Sequence, residues 1–452
     1  MSHRCFVFFI ALLILSSSTV LFCEDIENNQ YAISIESVFT TQFDFLHEAA
    51  PLGWIDVLAN ALPFNETTVS MRTETGLGVD TTVRLVYEYG QPSHSNIPIG
   101  FEGNPIFVEN NALYEGLLLL PFFDGEMRIG RQDVSFGPSP LSNLQISRSI
   151  PFLDSVYYEL PLGPCMISQV IATLENRKGL DDIYFNSDQS PYGFESSVIL
   201  LSSRRFSVDT ELVSLGIGAQ SIASRENNAF QIGDVLPIFS LHSADIGWHN
   251  LSLFLDGVLR AVEGHTQYCI LGIDDINANT FGIVDGGVPT IAACILGASG
   301  SLDFDILSLK YELEGTATHY LWGSFYERYY LSRSIYRLKS DTGYITLPLT
   351  SPYGPARTSV ELRTSLAMPL EMFLKLDGLL LYGDSSINLF STVYEGRTVE
   401  YSFMLARIEA TIGKIMYDSA SIYLGGGVDF VPAGVVPRIF IGGSWNISIG
   451  PR

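Results

Sequence analysis

Apolar and polar side chains alternate along several long stretches of the chain. Between Tyr31 and Phe45, the positions Ile33, Ile35 and Phe39 are apolar, and most of the residues between them are polar. A period of two residues is typical of a β-strand that has one apolar face. This stretch spans residues 31–45, whereas strands of soluble proteins are usually about 5–6 residues long. The alternation therefore predicts strands that are unusually long and apolar on one side.

The same alternation recurs at residues 82–89, 251–261, 360–366 and 370–380. In each stretch one face is aliphatic or aromatic, and the opposite face carries acids or bases. A soluble β-sandwich also alternates, so strand length and aromatic content must decide between the two. Membrane barrels have tilted strands of about 9–11 residues, an apolar outer face, a polar interior and aromatic girdles. The pattern favours an all-β transmembrane antiparallel β-barrel, and an exported soluble β-sandwich is the alternative.

The length of the chain sets the size of this barrel. At roughly 24–27 residues for each strand with its connection, residues 24–452 provide about 16–18 strands. They form a single domain, because a closed barrel cannot be divided. One stretch breaks the alternation: residues 51–63, bracketed by Pro51 and Pro63, have apolar positions at helical spacing. We expect a short helix there.

The composition supports a membrane protein that has no membrane helices. Hydrophobic residues make up 47% of the chain and charged residues only 16%, against about 25% charged in ordinary soluble proteins. Beyond the N-terminus, no stretch reaches the roughly 18–20 continuous apolar residues that a membrane helix requires. Strands of a barrel account for both observations.

Residues 1–23 are predicted to be a signal peptide. Arg4 precedes an apolar core at residues 5–15, and small residues follow at positions 16–18. Export of a barrel predicts the outer membrane of a diderm bacterium, with outer-membrane lipid and the barrel-assembly machinery as partners. Whether Cys23 is lipidated and whether the barrel forms a homo-oligomer both stay open.

The charge balance and the motifs exclude several functions. The net charge is −24, which argues against nucleic-acid binding, since that normally needs a basic surface. No metalloprotease, serine-hydrolase or nucleotide-binding motif is present, and the seven histidines are scattered. We therefore expect no enzyme, no catalytic residue, no bound metal and no cofactor.

One constellation of charged residues lies at residues 125–138. Strict alternation places Arg128 and Arg131 on opposite faces, which predicts a bulge near Gly130 or a position at the barrel rim. Arginines that point into a lumen beside acids would create a transverse field acting on polar solutes. Alternatively, the arginines pair with lumenal acids and hold the wall together. Both interpretations stay open.

The same region carries a family resemblance. Residues 128–132, followed by residues 136–138 and 153–156, resemble the "LGRQ … FDGV" stretch of the alginate-export family. The step Gly137-Pro138, followed by residues 141–143, is similar to the "WGPG … LxLSxN" stretch of the Wzi-type capsule-assembly family. Both families are large outer-membrane barrels that handle polysaccharide, so the resemblance implies that fold and a link to saccharides.

The resemblance covers only about residues 113–160, and the sequence departs from it at several positions. Phe136 stands where the capsule family has tryptophan, and Ser139 stands where it has a second glycine. The chain also lacks the aromatic C-terminal residue that is usual in outer-membrane barrels. The substrate of either family is therefore not carried over.

Charged residues on the polar faces are expected to line the lumen. They are Arg84, Glu88, Arg128, Arg131, Asp133, Arg148, Asp256, Arg260, Glu361, Arg363, Glu371, Lys375 and Asp377. The predicted function is a porin-like channel for polar solutes, with saccharides as one candidate class. An acidic excess in the lumen or loops would favour cations or neutral solutes. The alternative is a plugged barrel whose outer loops bind or anchor surface polysaccharide or a host ligand.

Overall fold

The computed structural model describes thirteen separate parts of the chain. They are residues 30–44, 62–74, 80–90, 108–174, 198–225, 248–275, 290–323, 334–340, 343–384, 387, 403–416, 419–431 and 434–449. Within these ranges, eighteen strands form one antiparallel sheet, and two further strands form a separate hairpin. Among the same residues, no helix has the length and hydrophobicity needed to cross a membrane.

The strands are long, as the alternation predicts. Those of the large sheet are β1 (Gln30–Asp44), β2 (Leu62–Glu74), β3 (Asp80–Gly90), β4 (Val108–Phe122), β5 (Gly125–Gln132), β6 (Leu153–Leu162), β7 (Cys165–Leu174), β8 (Val198–Asp209), β9 (Val213–Arg225), β10 (Trp248–Val262), β11 (His265–Asp275), β12 (Ile291–Asp303), β13 (Ser308–Thr318), β16 (Arg357–Met368), β17 (Met372–Gly383), β18 (Phe403–Met416), β19 (Ala420–Val431) and β20 (Gly434–Ile449). The hairpin consists of β14 (Ile335–Ser340) and β15 (Gly343–Pro348). A single turn of 3-10 helix, Pro369–Glu371, joins β16 to β17.

The large sheet closes on itself. Each strand pairs with the next one along the chain, β13 pairs directly with β16, and β1 pairs with both β2 and β20. The first and last strands join over a long register, from Ile33 opposite Ile449 to Asp44 opposite Arg438. Closure leaves no free edge, which is the condition for a sheet to span hydrocarbon. The predicted transmembrane-type antiparallel barrel of about 16–18 strands is confirmed, with 18 strands.

The outer face of the wall is aliphatic. Many large apolar side chains on this face are exposed, among them Leu255, Leu296, Ile408, Ile439 and Ile441. They alternate along their strands with polar or buried residues that point into the lumen. An exposed apolar surface of this extent marks a membrane-contacting face rather than one in water.

The two ends of the barrel differ in their connections. At one end, the strands are joined by short connections such as residues 123–124, 163–164, 210–212 and 263–264. The sheet also begins and ends at this end, with Gln30 and Ile449. At the other end, most connections are long, including residues 133–152 and 319–356. We call the two ends the short-turn end and the loop end.

Two of the long connections fold into the barrel. The first inner segment, residues 133–152, is mostly buried, and its Leu144 and Ile146 have no exposed surface. The second inner segment comprises the described residues between His319 and Ala356 and includes the β14–β15 hairpin. The two segments join through backbone hydrogen bonds, such as Ser147 N to Leu349 O at 2.7 Å. They form a core against the wall from β6 to β12.

This core divides into two apolar clusters. In one, the first inner segment packs on β6 to β9 through Val134, Phe136, Ile146 and Ile150. In the other, Leu144 packs with Trp322 against β10 to β12. Trp322 lies so close to β11 that a Cβ at Gly272 would be 2.4 Å from its Cη2 atom. A glycine is therefore required at position 272 for this packing.

Three local predictions from the sequence, namely a helix, a signal peptide and the start of a strand, have different outcomes in the structure. The predicted helix at residues 51–63 is wrong at its C-terminal end, because Leu62 and Pro63 already pair with β1 as part of β2. The rest of that stretch and the predicted signal peptide, residues 1–23, lie outside the described residues. The strand predicted at residues 370–380 begins two residues later in the structure, because β17 starts at Met372.

Candidate lumenal site

A cavity of about 1050 Å³ lies between the two inner segments and one side of the wall. Its wall residues come mainly from β12, β13 and β16 to β18, and most of them lie toward the short-turn end. Pro140, Arg148 and Tyr353 border it from the inner segments. The volume is that of an ordinary small-molecule site.

Charged residues of both signs make up a large part of the lining. Five acids contribute, namely Asp133, Glu312, Glu361, Asp377 and Glu409. Five bases also contribute, namely Arg148, Lys310, Arg363, Lys375 and Arg407. The lining is therefore balanced, although the whole chain is strongly acidic. The acidic excess expected for the lumen or the loops is not present among the described residues that line this cavity.

A buried ion-pair network holds the wall on one side of the cavity. Arg407 on β18 binds Asp429 on β19 with two bonds of 2.9 Å. Arg438 on β20 binds the same carboxylate at 2.8 Å and reaches Glu409 at 3.2 Å. Two-pronged bonds of this kind fix both partners in place. The network joins three adjacent strands and holds the carboxylate of Glu409 at the cavity.

Tyr353 ties the second inner segment to the charged side of the wall. Its hydroxyl donates to Glu361 Oε2 on β16 at 2.8 Å, and Arg363 binds the other carboxylate oxygen at 2.6 Å. Burial raises the pKa of Tyr353 well above its usual value, and the neighbouring carboxylate of Glu361 adds to the effect. The phenol therefore stays protonated and remains a donor.

Glu314 fixes the first inner segment to the wall in a similar way. This residue of β13 is 2% exposed, and its two carboxylate oxygens accept hydrogen bonds from the hydroxyls of Ser139 and Ser142. Tyr268 on β11 donates a third bond at 2.9 Å. Glu314 lies directly opposite Glu361 in the β13–β16 register. Adjacent glutamates thus anchor both inner segments.

Asp256 faces the lumen and is paired with Arg205 on β8. Two bonds of 2.7 and 2.9 Å join the pair across β9. The strand between them carries Gly216, where a Cβ would lie 2.4 Å from the Asp256 carboxylate and 2.7 Å from the Arg205 guanidinium. Because the position has no side chain, the pair can form. Gly216 therefore leaves room for this ion pair from within a strand, and no sequence motif indicates that role.

The arginines of the 125–138 constellation occupy both faces of β5. Arg128 points inward, binds Glu126 at 2.5 Å and lies 5.3 Å from the ring centre of Tyr157. Arg131 lies on the opposite face, at the loop end of β5, where it binds Asp154 through two bonds of 2.7 and 2.8 Å. The register with β6 continues through Gly130 without a shift. The unbroken register favours the rim position over a bulge near Gly130. Arg131 also lies 4.1 Å from the ring centre of Phe152 in the first inner segment, and its lining of the lumen stays a prediction.

Other predicted lumenal residues spread over the barrel. Arg84 lies 3.7 Å from Glu115 on the inner face. Glu88 lies four residues further along β3, and its side chain is outside the described part. Arg260 binds Asp209 at the short-turn rim at 3.1 Å, with both side chains partly exposed. Glu371 lies in the exposed turn between β16 and β17 rather than on a strand.

Asp133 and Arg148 belong to the first inner segment, and both line the cavity. Arg148 donates to the backbone oxygen of Ser139 at 2.7 Å. Burial raises the pKa of Asp133, although the positive charges of Arg84 and Arg148 oppose the shift. Asp133 therefore takes up a proton at a higher pH than an ordinary aspartate. It does so on the inner segment, not on the barrel wall.

Several residues of the site were not among the sequence candidates. They are Arg205, Lys310, Glu312, Glu314, Arg407, Glu409, Asp429 and Arg438. A signal for some of them exists, since Arg407 and Glu409 alternate with apolar residues on β18. Glu314 carries no such signal, because its role depends on a distant segment. Within the described ranges, no group of three or more His, Cys, Asp or Glu side chains is arranged for a metal ion.

Comparisons with known proteins agree with this architecture. No protein-family model matches the chain, and no curated protein sequence matches it. Among solved structures, it is similar to Wzi of Escherichia coli, an outer-membrane protein involved in group 1 capsule assembly and a carbohydrate-binding β-barrel. The identity is 12%, the match covers 90% of this chain and 83% of Wzi, and the TM-score is 0.56.

Two weaker matches come from other bacteria. OccK2 (OpdF) of Pseudomonas aeruginosa, solved in complex with glucuronate, has 10% identity over 94% of this chain and 99% of its own, with a TM-score of 0.45. OccAB1 of Acinetobacter baumannii has 9% identity over 94% and 97% of the two chains, with a TM-score of 0.41. The closed wall and the likeness to Wzi show that this chain has the fold of a large outer-membrane β-barrel.

Proposed function

We propose that the protein is a bacterial outer-membrane channel that passes polar solutes and carries out no catalysis. The observation that carries the proposal is the 1050 Å³ cavity, which is lined by charged side chains inside a barrel with an aliphatic outer face. Charged groups that face one another across a bore select solutes by the electric field in the bore and by the size of the solute, without a chemical reaction. Saccharides are one candidate class, since they offer many hydroxyls to such a lining.

The orientation follows from the connections. Outer-membrane barrels have short periplasmic turns and longer extracellular loops. The short-turn end is therefore the periplasmic side, and the cavity lies nearer to it. Outer-membrane lipid would cover the aliphatic face, and the barrel-assembly machinery would insert the chain.

Swelling of liposomes tests the channel directly. Purified, refolded protein is placed in liposomes, and the rate of swelling is measured in an isotonic solution of arabinose. Ser365→Trp places a large ring inside the cavity and is expected to slow swelling severalfold. Leu366→Trp is the matched control, because Leu366 lies on the outer face of the same strand and does not line the cavity.

Equal swelling by both variants and the wild type would contradict transport through this cavity. Failure of the wild-type protein to support swelling, when it is folded and inserted, would contradict the channel itself.

The alternative function is a plugged barrel that binds surface polysaccharide or a host ligand through its outer loops. One observation favours it: the inner segments fill the side of the lumen beside β6 to β12 with buried apolar residues. Retention of the protein on immobilised polysaccharide, combined with the absence of swelling, is the result that this alternative predicts.

A further inference from the structure

Two lysines lie at the same level of the cavity, toward the short-turn end. Lys310 on β13 is opposite Ser365 on β16, and Ser365 is in turn opposite Lys375 on β17. Ser301 on β12 continues the row beyond Lys310. All four residues line the cavity. We call them the lysine row.

The lysine row brings together two of the five lysines in the whole chain. Adjacent strands are about 4.7–4.9 Å apart, so the backbones of Lys310 and Lys375 lie roughly 10 Å from each other across β16. Two flexible ammonium groups at this spacing can approach one small group between them. The hydroxyls of Ser301 and Ser365 alternate with them as further donors.

The two ammonium groups differ from the arginines of the wall in their partners. Arg363, Arg407 and Arg438 all form ion pairs with carboxylates. Neither Lys310 nor Lys375 forms an ion pair with a carboxylate of the described residues, and both side chains are exposed. The Nζ of Lys375 lies 5.5 Å from the ring centre of Phe373, a contact that does not neutralise its charge. An exposed cation that is not paired remains available to a solute, whereas a buried pair is already neutralised.

The nearest acids of the cavity wall lie one level further toward the loop end. Glu312 and Asp377 follow the two lysines by two residues on the same strands, and Arg363 lies between them in the register. The lysine row itself contains no carboxylate. The positive charge is therefore concentrated at one level, although the cavity as a whole is balanced.

We infer that the lysine row is a binding site for the anionic group of a polar solute, a carboxylate or a phosphate. The inference rests on the proposed channel, since it names the class of solute that the cavity prefers. It also reverses the preference for cations or neutral solutes that the acidic composition suggests, because solutes respond to the lining and not to the total charge.

Binding is measured by isothermal titration of the refolded protein in detergent, which does not depend on whether the channel is open. The three probes are galactose, galacturonate and galactose 6-phosphate, which share a ring and differ in the anionic group. The variants are the double substitution Lys310→Met with Lys375→Met and, as control, Lys414→Met. Lys414 is an exposed lysine at the short-turn end of β18, outside the cavity lining.

We expect at least one anionic probe to bind the wild type tenfold or more tightly than galactose, and the tighter of the two identifies the preferred group. The double variant should lose that advantage, the control should keep it, and rising salt should weaken it. Equal binding of all three probes, or an advantage that survives in the double variant, would overturn the site. The channel is judged separately, by swelling, so the two failures can be told apart.

Discussion

The two sides of the barrel wall contrast in what they present to the lumen. From β6 to β12, the inward side chains are largely apolar, as Val170, Leu201, Phe254 and Ile295 illustrate, and the inner segments cover them. On β13 and from β16 to β18, charged side chains border the cavity, and their ion pairs continue to Asp429 on β19 and Arg438 on β20. We call the two sides the packed wall and the charged wall.

The contrast shows that the interior of a barrel need not be uniformly polar. A strand whose inner face meets water carries polar residues there, whereas a strand covered by an inner segment carries apolar ones on both faces. The packed wall resembles the core of a soluble protein, in which buried apolar contact provides the stability. The charged wall depends on ion pairs that satisfy each other's charge away from bulk water.

Replacing residues 136–150 by a short glycine-serine linker should produce the largest effect. The substitution removes the apolar side chains that fill the packed wall's side of the lumen. We expect single-channel conductance in planar bilayers to increase severalfold, because the free cross-section of the bore grows. A variant that inserts with unchanged conductance would show that the first inner segment does not restrict the lumen.

Arg438→Met should destabilise the charged wall strongly. Arg438 has 1% of its side chain exposed and pairs with both Asp429 and Glu409, so its removal leaves the largely buried Glu409 without this partner and Asp429 with Arg407 alone. The expected loss in free energy of unfolding is about 3–5 kcal/mol, measured by denaturant titration in lipid or detergent.

Arg260→Met is the matched control for this substitution. Arg260 pairs with Asp209 at the exposed rim, where such a pair contributes less than about 1 kcal/mol. Similar losses in the two variants would contradict the difference between the buried and exposed pairs.

Gly272→Ala tests the packed wall. The added methyl group would overlap the Trp322 ring, and overpacking of this kind costs about 1–3 kcal/mol of unfolding free energy. Gly315→Ala is the control, since the nearest atom to a Cβ there is 3.7 Å away. If Gly272→Ala is as stable as Gly315→Ala, Trp322 does not pack on β11 as described.

The smallest effect concerns the pH dependence of ion selectivity. Since burial raises the pKa of Asp133, this carboxylate becomes neutral at a higher pH than an ordinary aspartate as the solution is acidified. The cavity then gains net positive charge, and the reversal potential should shift by a few millivolts toward anion preference. Asp133→Asn should remove this step, whereas Asp303→Asn, outside the cavity lining, should retain it.

Alternation along the chain was sufficient to predict the class of the fold, and the length of the chain predicted a range of about 16–18 strands that includes the 18 observed. It worked best on the charged wall, where Glu361 and Arg363 alternate with Val360 and Leu362 and face the lumen as expected. It was less informative on the packed wall, because Phe254 and Val258 point inward beside Asp256. The pattern of one strand does not indicate whether water or another segment covers its inner face.

The contacts of the inner segments could not be predicted from the sequence, for a related reason. Glu314 bonds to Ser139 and Ser142, more than 170 residues away along the chain. Gln145 similarly bonds to Ser203 Oγ at 2.8 Å. Such contacts depend on where a long connection folds, and no local periodicity specifies that.

Planar-bilayer conductance of the refolded wild-type protein tests the central claim most directly. The claim is that the charged wall borders a bore that stays open beside the packed wall. Discrete, reproducible current steps are the predicted result, with a reversal potential that responds to Lys310→Met and Lys375→Met. Silence from protein shown to be folded and inserted would contradict the account and leave the plugged, polysaccharide-binding barrel in its place.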